Sequence, residues 1–201
     1  MVQTICWFLN SMEQEAQDLA RGLQKRAPEL LDRLIEQYQY RLVRYLLVLV
    51  GSQETAEDLF QETWIRVLEN GRRYNAKWRF ETWLFTIARN LAIDFLRQRK
   101  PQSLDALLAP DGSVRTFELP DPKSSTPFDQ VAQGEDADRL RGALTYLPPS
   151  YREVLMLRFQ EDLELSEIAA IVASPVPTVK SRLYRGLETL REALKEDQRD
   201  R

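Results

Sequence analysis

The sequence predicts an all-α protein of two helical domains joined by a flexible linker, the C-terminal one a helix-turn-helix. Three observations carry that expectation. Through residues 13–99 apolar side chains recur at three- and four-residue spacing, with Gly22, Pro28, Gly51 and Gly71 as the only punctuation. From Pro101 to about Gly134 that period disappears, and prolines at 101, 110, 120, 122 and 127 stand among serines and acids. After it, helix, short connection and helix follow one another, with prolines at the helix entries. A chain of 201 residues has room for two compact helical cores.

In the first domain, Leu30, Leu31, Leu34, Tyr38, Leu42, Tyr45, Leu46 and Leu49 form one helical stripe that Gly51 and Ser52 end. Gln53 to Glu69 is predicted to bury Ala56, Leu59, Phe60, Thr63 and Val67 on one side. Between Gly71 and Arg79 no period survives, which predicts a loop. A long helix from Phe80 to Arg99 follows, its core stripe expected at Phe80, Trp83, Leu84, Ile87, Leu91 and Phe95, and Pro101 stops it.

The net charge of -3 conceals an uneven distribution. From Arg72 to Lys100 the cations Arg72, Arg73, Lys77, Arg79, Arg89, Arg97, Arg99 and Lys100 face only Glu81 and Asp94, while the flanking segments are acidic. The loop interleaves its cations with Tyr74 and Trp78. That pattern suits a single-stranded base stacked on an aromatic face while cations hold the backbone, and it equally suits an aromatic lid over the core. Along the helix after it, Asn90, Asp94 and Arg97 share one face away from the core stripe. They make either base and phosphate contacts or a surface ion pair.

The second domain begins near Asp136. One helix is stopped by Pro148-Pro149, a second covers Ser150 to Gln160, a short one lies near Leu165 to Ala173, and a last one follows Pro175. In that last helix Val179, Leu183, Leu187, Leu190 and Leu194 are expected to pack against Ile168, Ala169 and Val172. Lys180, Ser181, Tyr184 and Arg185 occupy the other side near its N-terminus, and Thr178 adds a hydroxyl there. A recognition helix presents that end to the major groove; a solvated amphipathic helix is the plainer alternative. No acid lies between Thr178 and Gly186, whereas Glu188, Glu192 and Glu196 lie beyond, as expected if one end alone meets phosphate.

At this point a family resemblance becomes specific. "LPPSYREVLMLRFQEDLELSEIAAIVASPVPTVKSRLYRGLETLREAL" resembles the C-terminal domain of bacterial sigma factors of the extracytoplasmic-function class, within the sigma-70 family. Leu147-Pro148, Arg152, Glu167-Ile168-Ala169 and Thr178 to Arg182 carry the match. Ala173 stands where the family's turn usually has glycine, Pro177 where a glycine often precedes the threonine, and Glu164 where Ser or Thr often caps the helix. "AEDLFQETWIRVLEN" followed by "RFETWLFTIARNLAIDFLRQR" is similar to the N-terminal promoter-melting domain of the same class.

The resemblance implies a boundary set: an extension at residues 1–27, a promoter-melting and polymerase-binding domain at 28–100, an acidic linker at 101–135 and a helix-turn-helix domain at 136–201. It implies that Thr178, Lys180, Ser181, Tyr184 and Arg185 read the -35 promoter element. Tyr74, Trp78, Arg79, Asn90, Asp94 and Arg97 would hold the non-template strand of the -10 element. Asp58, Gln61, Glu62 and Ile65 would dock core RNA polymerase at the clamp helices of its largest subunit, with the flap of the second-largest as a further contact. Promoter DNA and an anti-sigma factor are the other implied partners. The linker either passes through a polymerase channel, as the family's linkers do, or makes no specific contact.

Composition narrows the alternatives. Histidine is absent and Cys6 is the single cysteine, which excludes Ser-His-Asp and Cys-His nucleophiles, a disulfide framework and a cysteine-clustered zinc site. No glycine-rich phosphate loop is present, and no cofactor or metal is expected. An enzyme using carboxylates and a duplex-binding regulator independent of polymerase are the competing classes; the first domain favours an initiation factor. No stretch approaches the roughly 20 apolar residues of a membrane span. The opening MVQTICWFLNS lacks a secretory signal's basic head and cleavage site, Met12 is a second candidate start, and a cytoplasmic location is expected.

Overall fold

The computed structural model describes residues 16–99, 143–144 and 147–199. The predicted linker, the segment before residue 16 and most of the helix expected between Asp136 and Leu147 lie outside the described residues. Among the described residues the regular elements are helices, with no strand, and the chain divides into two compact units.

In the first unit α1 (16–24) ends where Arg26 enters the left-handed region at φ 53°. The Ala27 N–H then bonds the Gly22 carbonyl at 3.0 Å, which satisfies a carbonyl the helix end would leave open. Pro28 opens α2 (Pro28–Val50), where its missing N–H is no loss. Gly51 at φ 70° closes α2, returning its N–H to the Leu47 carbonyl at 2.8 Å. Ser52 immediately caps α3 (Gln53–Asn70), its hydroxyl accepting from the Thr55 N–H. Two residues thus reverse the chain, and α3 packs on α2.

A short 3-10 turn, Gly71–Arg73, leaves α3. A Cβ at Gly71 would lie 2.9 Å from the Leu23 carbonyl oxygen, so only glycine permits this approach of α1. The loop leads into α4 (Phe80–Arg99). Its buried face differs from the expected stripe. Phe80, Leu84, Phe85, Ala88, Ala92 and Ile93 are buried, whereas Trp83, Ile87, Leu91 and Phe95 are half-buried. The small side chains at 88 and 92 sit inside, and the bulky apolar ones flank them. Phe85 meets Tyr45 of α2 edge to face, with centroids 5.0 Å apart. In α3, similarly, Trp64 is buried where the pattern pointed to Phe60, which is half-buried beside it.

In the second unit Pro149 opens α5 (Pro149–Phe159). Arg152 is buried, and its Nε and Nη2 donate to the carbonyls of Leu144 and Leu147 at 2.9 and 3.0 Å. Burial holds its guanidinium pKa below the ordinary arginine value. These bonds explain why a cation sits in the core: it satisfies the backbone that leads into α5. Next come α6 (Leu165–Ile171) and α7 (Val176–Arg199), with α7 packed on α5.

Candidate nucleic-acid interface

The loop after α3 is organised by Tyr74. Its ring is buried, 5.8 Å from Phe80 and 5.1 Å from Trp83, and its hydroxyl donates to the Trp78 carbonyl at 3.2 Å. Burial pushes its pKa up to about 12. An expectation of Tyr74 as a stacking platform therefore has to be corrected: only 3% of the residue is exposed, so no ring face is presented to a base. Trp78 is different, with 42% exposed. Ala76 at φ 56° and an Asn75 side chain that accepts from the Lys77 N–H turn the backbone between them. Arg72, Arg73, Lys77 and Arg79 are all exposed, so the loop shows cations and one indole outward over an aromatic base.

Arg79 is also paired with Glu81, whose Oε1 lies 3.4 Å from its guanidinium and accepts from the Tyr38 hydroxyl at 2.8 Å. Along α4, Asn90, Asp94 and Arg97 are exposed, as their four- and three-residue spacing requires of one outer face. Arg89, one of the cations of the basic segment, is buried.

On α3, Asp58, Gln61 and Ile65 are exposed and Glu62 is half-buried. Glu62 is bonded to Arg66 one turn on, at 3.0 Å, and Arg66 also reaches Glu69. The outer apolar surface here is larger than expected, because Leu68 is 38% exposed beside Ile65 at 48%. A spacing of three from Ile65 was the available signal, since it puts Leu68 on that face.

At the start of α7, Lys180, Ser181, Tyr184 and Arg185 are exposed and Thr178 is half-buried. The Lys180 ammonium lies 5.9 Å from the Tyr184 ring centroid, within cation–π range. Arg182 is turned inward instead, its Nη1 donating to the Ser174 hydroxyl at 3.4 Å. Val179 and Leu183 are buried, together with Ile168 and Val172 of the preceding helix and turn. Leu187 is not: it is 37% exposed, because Gly186 takes the inner position against Leu155 and Tyr151 of α5.

The model described as Sigma-70 region 2 matches residues 34–102, and Sigma-70, region 4 matches residues 137–190. ECF RNA polymerase sigma factor SigW of Bacillus subtilis is 33% identical over 164 residues, 81% of this chain and 88% of SigW. The chain belongs to the ECF sigma factors. RNA polymerase sigma factor CarQ of Myxococcus xanthus is 31% identical, over 85% of this sigma factor and 92% of CarQ. Among solved structures, sigma factor RpoE of Bartonella quintana, in complex with the anti-sigma factor NepR, superposes with a TM-score of 0.60 at 25% identity. That match covers 82% of this chain and 96% of that one. CnrH, solved with the cytosolic domain of CnrY, shares the fold at 18% identity and a TM-score of 0.61, covering 89% of this chain and 96% of its own.

Within the sigma factor's helix-turn-helix, the three departures from the family pattern each have a local solution. Ala173 adopts φ 48°, the left-handed conformation glycine would supply, and Ser174 closes the turn by bonding the Ala169 carbonyl at 3.1 Å. Glu164 lacks a hydroxyl cap, yet its backbone N–H is taken by the Glu167 carboxylate at 2.9 Å, one half of a capping box. Pro177 lies in the first turn of α7, where a backbone donor would have no intrahelical partner. The turn therefore keeps its geometry with other residues. Among the described residues no helix is long and apolar enough to cross a membrane.

Proposed function

We propose that this sigma factor directs core RNA polymerase to promoters carrying two short elements, with the two units reading one each. The observation that carries this is the pairing in one chain of two different exposed cationic surfaces, each suited to nucleic acid. One is a loop and helix face with cations, an exposed indole and Asn90; the other is a cationic helix start supported by a helix-turn-helix.

In this reading Lys180, Ser181, Tyr184 and Arg185 enter the major groove of the upstream element, with Thr178 at the helix start touching phosphate. Trp78 stacks a base of the opened non-template strand, Arg79 and Arg97 hold its backbone, and Asn90 bonds a base edge with Asp94 beside it. Tyr74 contributes by fixing the Trp78 backbone. Each captured base offsets part of the unstacking cost, so opening proceeds by binding, without catalysis by the chain. Asp58, Gln61, Glu62 and Ile65, joined by Leu68, form the face for the polymerase clamp, and the second unit meets the flap. The functional domains run 28–100 and 136–201, with 101–135 between them, and the protein works in the cytoplasm.

An anti-sigma factor is the proposed inhibitor, supported by the complex in which RpoE was solved. Recovery from the native host of polymerase subunits without any inhibitor would contradict this part. The main test is transcription of a genomic promoter library by core polymerase with and without the protein. New start sites sharing two elements at fixed separation are expected. Tight duplex binding by the protein alone, with no new start, would make it an ordinary regulator.

A further inference from the structure

Arg79 is the last residue before α4, and its carbonyl opens that helix by accepting the Trp83 N–H at 3.3 Å. We propose that Glu81, anchored by the Tyr38 hydroxyl, is a positioning residue that holds the Arg79 guanidinium in the orientation in which it meets the backbone of the opened strand. This rests on the strand-opening function proposed above.

Side chains two apart do not face each other within a helix, so the pair needs a cause. Arg79 stands just outside α4, and its side chain turns back over the first turn until Nη2 lies 3.4 Å from Glu81 Oε1. The two partners differ in freedom: the Arg79 side chain is 49% exposed and that of Glu81 only 16%. The same Oε1 accepts from the Tyr38 hydroxyl at 2.8 Å. Tyr38 is buried in α2, its ring edge to face with Phe80 at 5.5 Å. Burial first, then the Glu81 charge, raise its pKa, so the hydroxyl remains a donor. Phe80 lies between Arg79 and Glu81 in the chain, and its packing on Tyr38 fixes the backbone that carries both. A buried ring thus orders a carboxylate, and the carboxylate orders an exposed cation.

An exposed ion pair between two mobile side chains contributes little, because both must be ordered. Here one partner is already fixed, and the benefit falls on binding: Arg79 has less rotamer freedom to lose when it meets a phosphate. Its planar fork carries several N–H donors, so pairing at Nη2 leaves others for that contact. Trp78, the residue before it, has its carbonyl held by the Tyr74 hydroxyl. Two buried tyrosines therefore set two adjacent exposed residues, Tyr74 through the Trp78 backbone and Tyr38 through Glu81. The plainer role of Glu81, an acid favoured by the dipole in the first turn of a helix, requires no link to Arg79.

The test measures binding of a single-stranded oligonucleotide, the non-template -10 sequence of a dependent promoter, to the complex of core polymerase with the full chain. Arg79→Ala should weaken it about tenfold. Glu81→Gln should weaken it about threefold, although it removes a negative charge and would strengthen a purely electrostatic association. Tyr38→Phe, which keeps the ring, should act to a similar degree. In the Arg79→Ala background neither substitution should add a further loss, whereas damage to the fold would still add. Unchanged or tighter binding by Glu81→Gln or Tyr38→Phe overturns the proposal, as does an equal loss with and without Arg79. Wild-type binding by Arg79→Ala also overturns it, and Trp78→Ala then separates the two readings: a loss there keeps the strand-opening function, and no loss removes it as well.

Discussion

The Tyr74 hydroxyl donates to the carbonyl of Trp78, so a buried ring sets the backbone that carries an exposed one. Two aromatic residues four apart thus divide between core and surface. Trp78→Ala should leave stability nearly unchanged and weaken promoter opening, at roughly 1–3 kcal/mol for the lost stack. Tyr74→Phe keeps the ring and loses the tie, at about 0.5–1.5 kcal/mol of stability. Urea unfolding beside an open-complex assay separates the two; equal stability losses would show that Trp78 is also core.

At the other surface the expected contacts are ionic. Lys180→Ala and Arg185→Ala should each weaken binding of the upstream element and reduce its salt dependence by about one phosphate-equivalent. Arg182, bonded to Ser174, belongs to the turn, and Arg182→Ala should change thermal stability more than the salt slope. Binding titrations across a salt series check this, and unchanged slopes for both exposed cations would remove them from the interface.

The turn between α6 and α7 holds alanine at φ 48°. Ala173→Gly should stabilise the second unit by about 1 kcal/mol, since an L side chain pays a penalty there that glycine escapes. Gly186→Val should do the opposite, by about 1–3 kcal/mol, because even a Cβ at that site lies 3.1 Å from Leu155 Cδ1. Thermal unfolding of the two variants should shift in opposite directions.

Alkaline pH should loosen the first unit. Burial, first of all, raises the Tyr38 and Tyr74 pKa values above the usual value of about 10, that of Tyr74 to about 12. For a group whose folded pKa is raised, the stability it contributes is complete below the unfolded value and is lost as pH rises toward the folded one. Stability should therefore fall from about pH 10 upward through about pH 12. Tyrosinate absorbance followed with helical circular dichroism tests it: these two hydroxyls should ionise late and together with loss of helix. Tyr38→Phe should reduce the dependence.

Much of this was legible from spacing alone. Gly51 followed by Ser52 marks a helix end; the structure closes α2 at Gly51 and uses Ser52 to cap α3. The exposed positions Lys180, Tyr184 and Arg185 followed from the period of α7. What periodicity misjudged was which of several apolar residues lies innermost. In α4 large residues fall on adjacent positions, and close packing selected Ala88 and Ala92 for the inside, which a hydrophobicity count ranks below Ile87 or Leu91. Gly186 displaced Leu187 for the same reason. Tyr74 was undecidable in sequence, because its burial depends on Phe80 and Trp83 from the next helix.

This sigma factor is expected to open DNA only together with core polymerase. Permanganate reactivity of unpaired thymines on a dependent promoter tests it most directly. Reactive thymines are expected on the non-template strand when chain and core polymerase are both present, none with either alone, and a weaker signal with Trp78→Ala. Full reactivity with core polymerase alone, or none with both despite tight duplex binding by the chain, would contradict it.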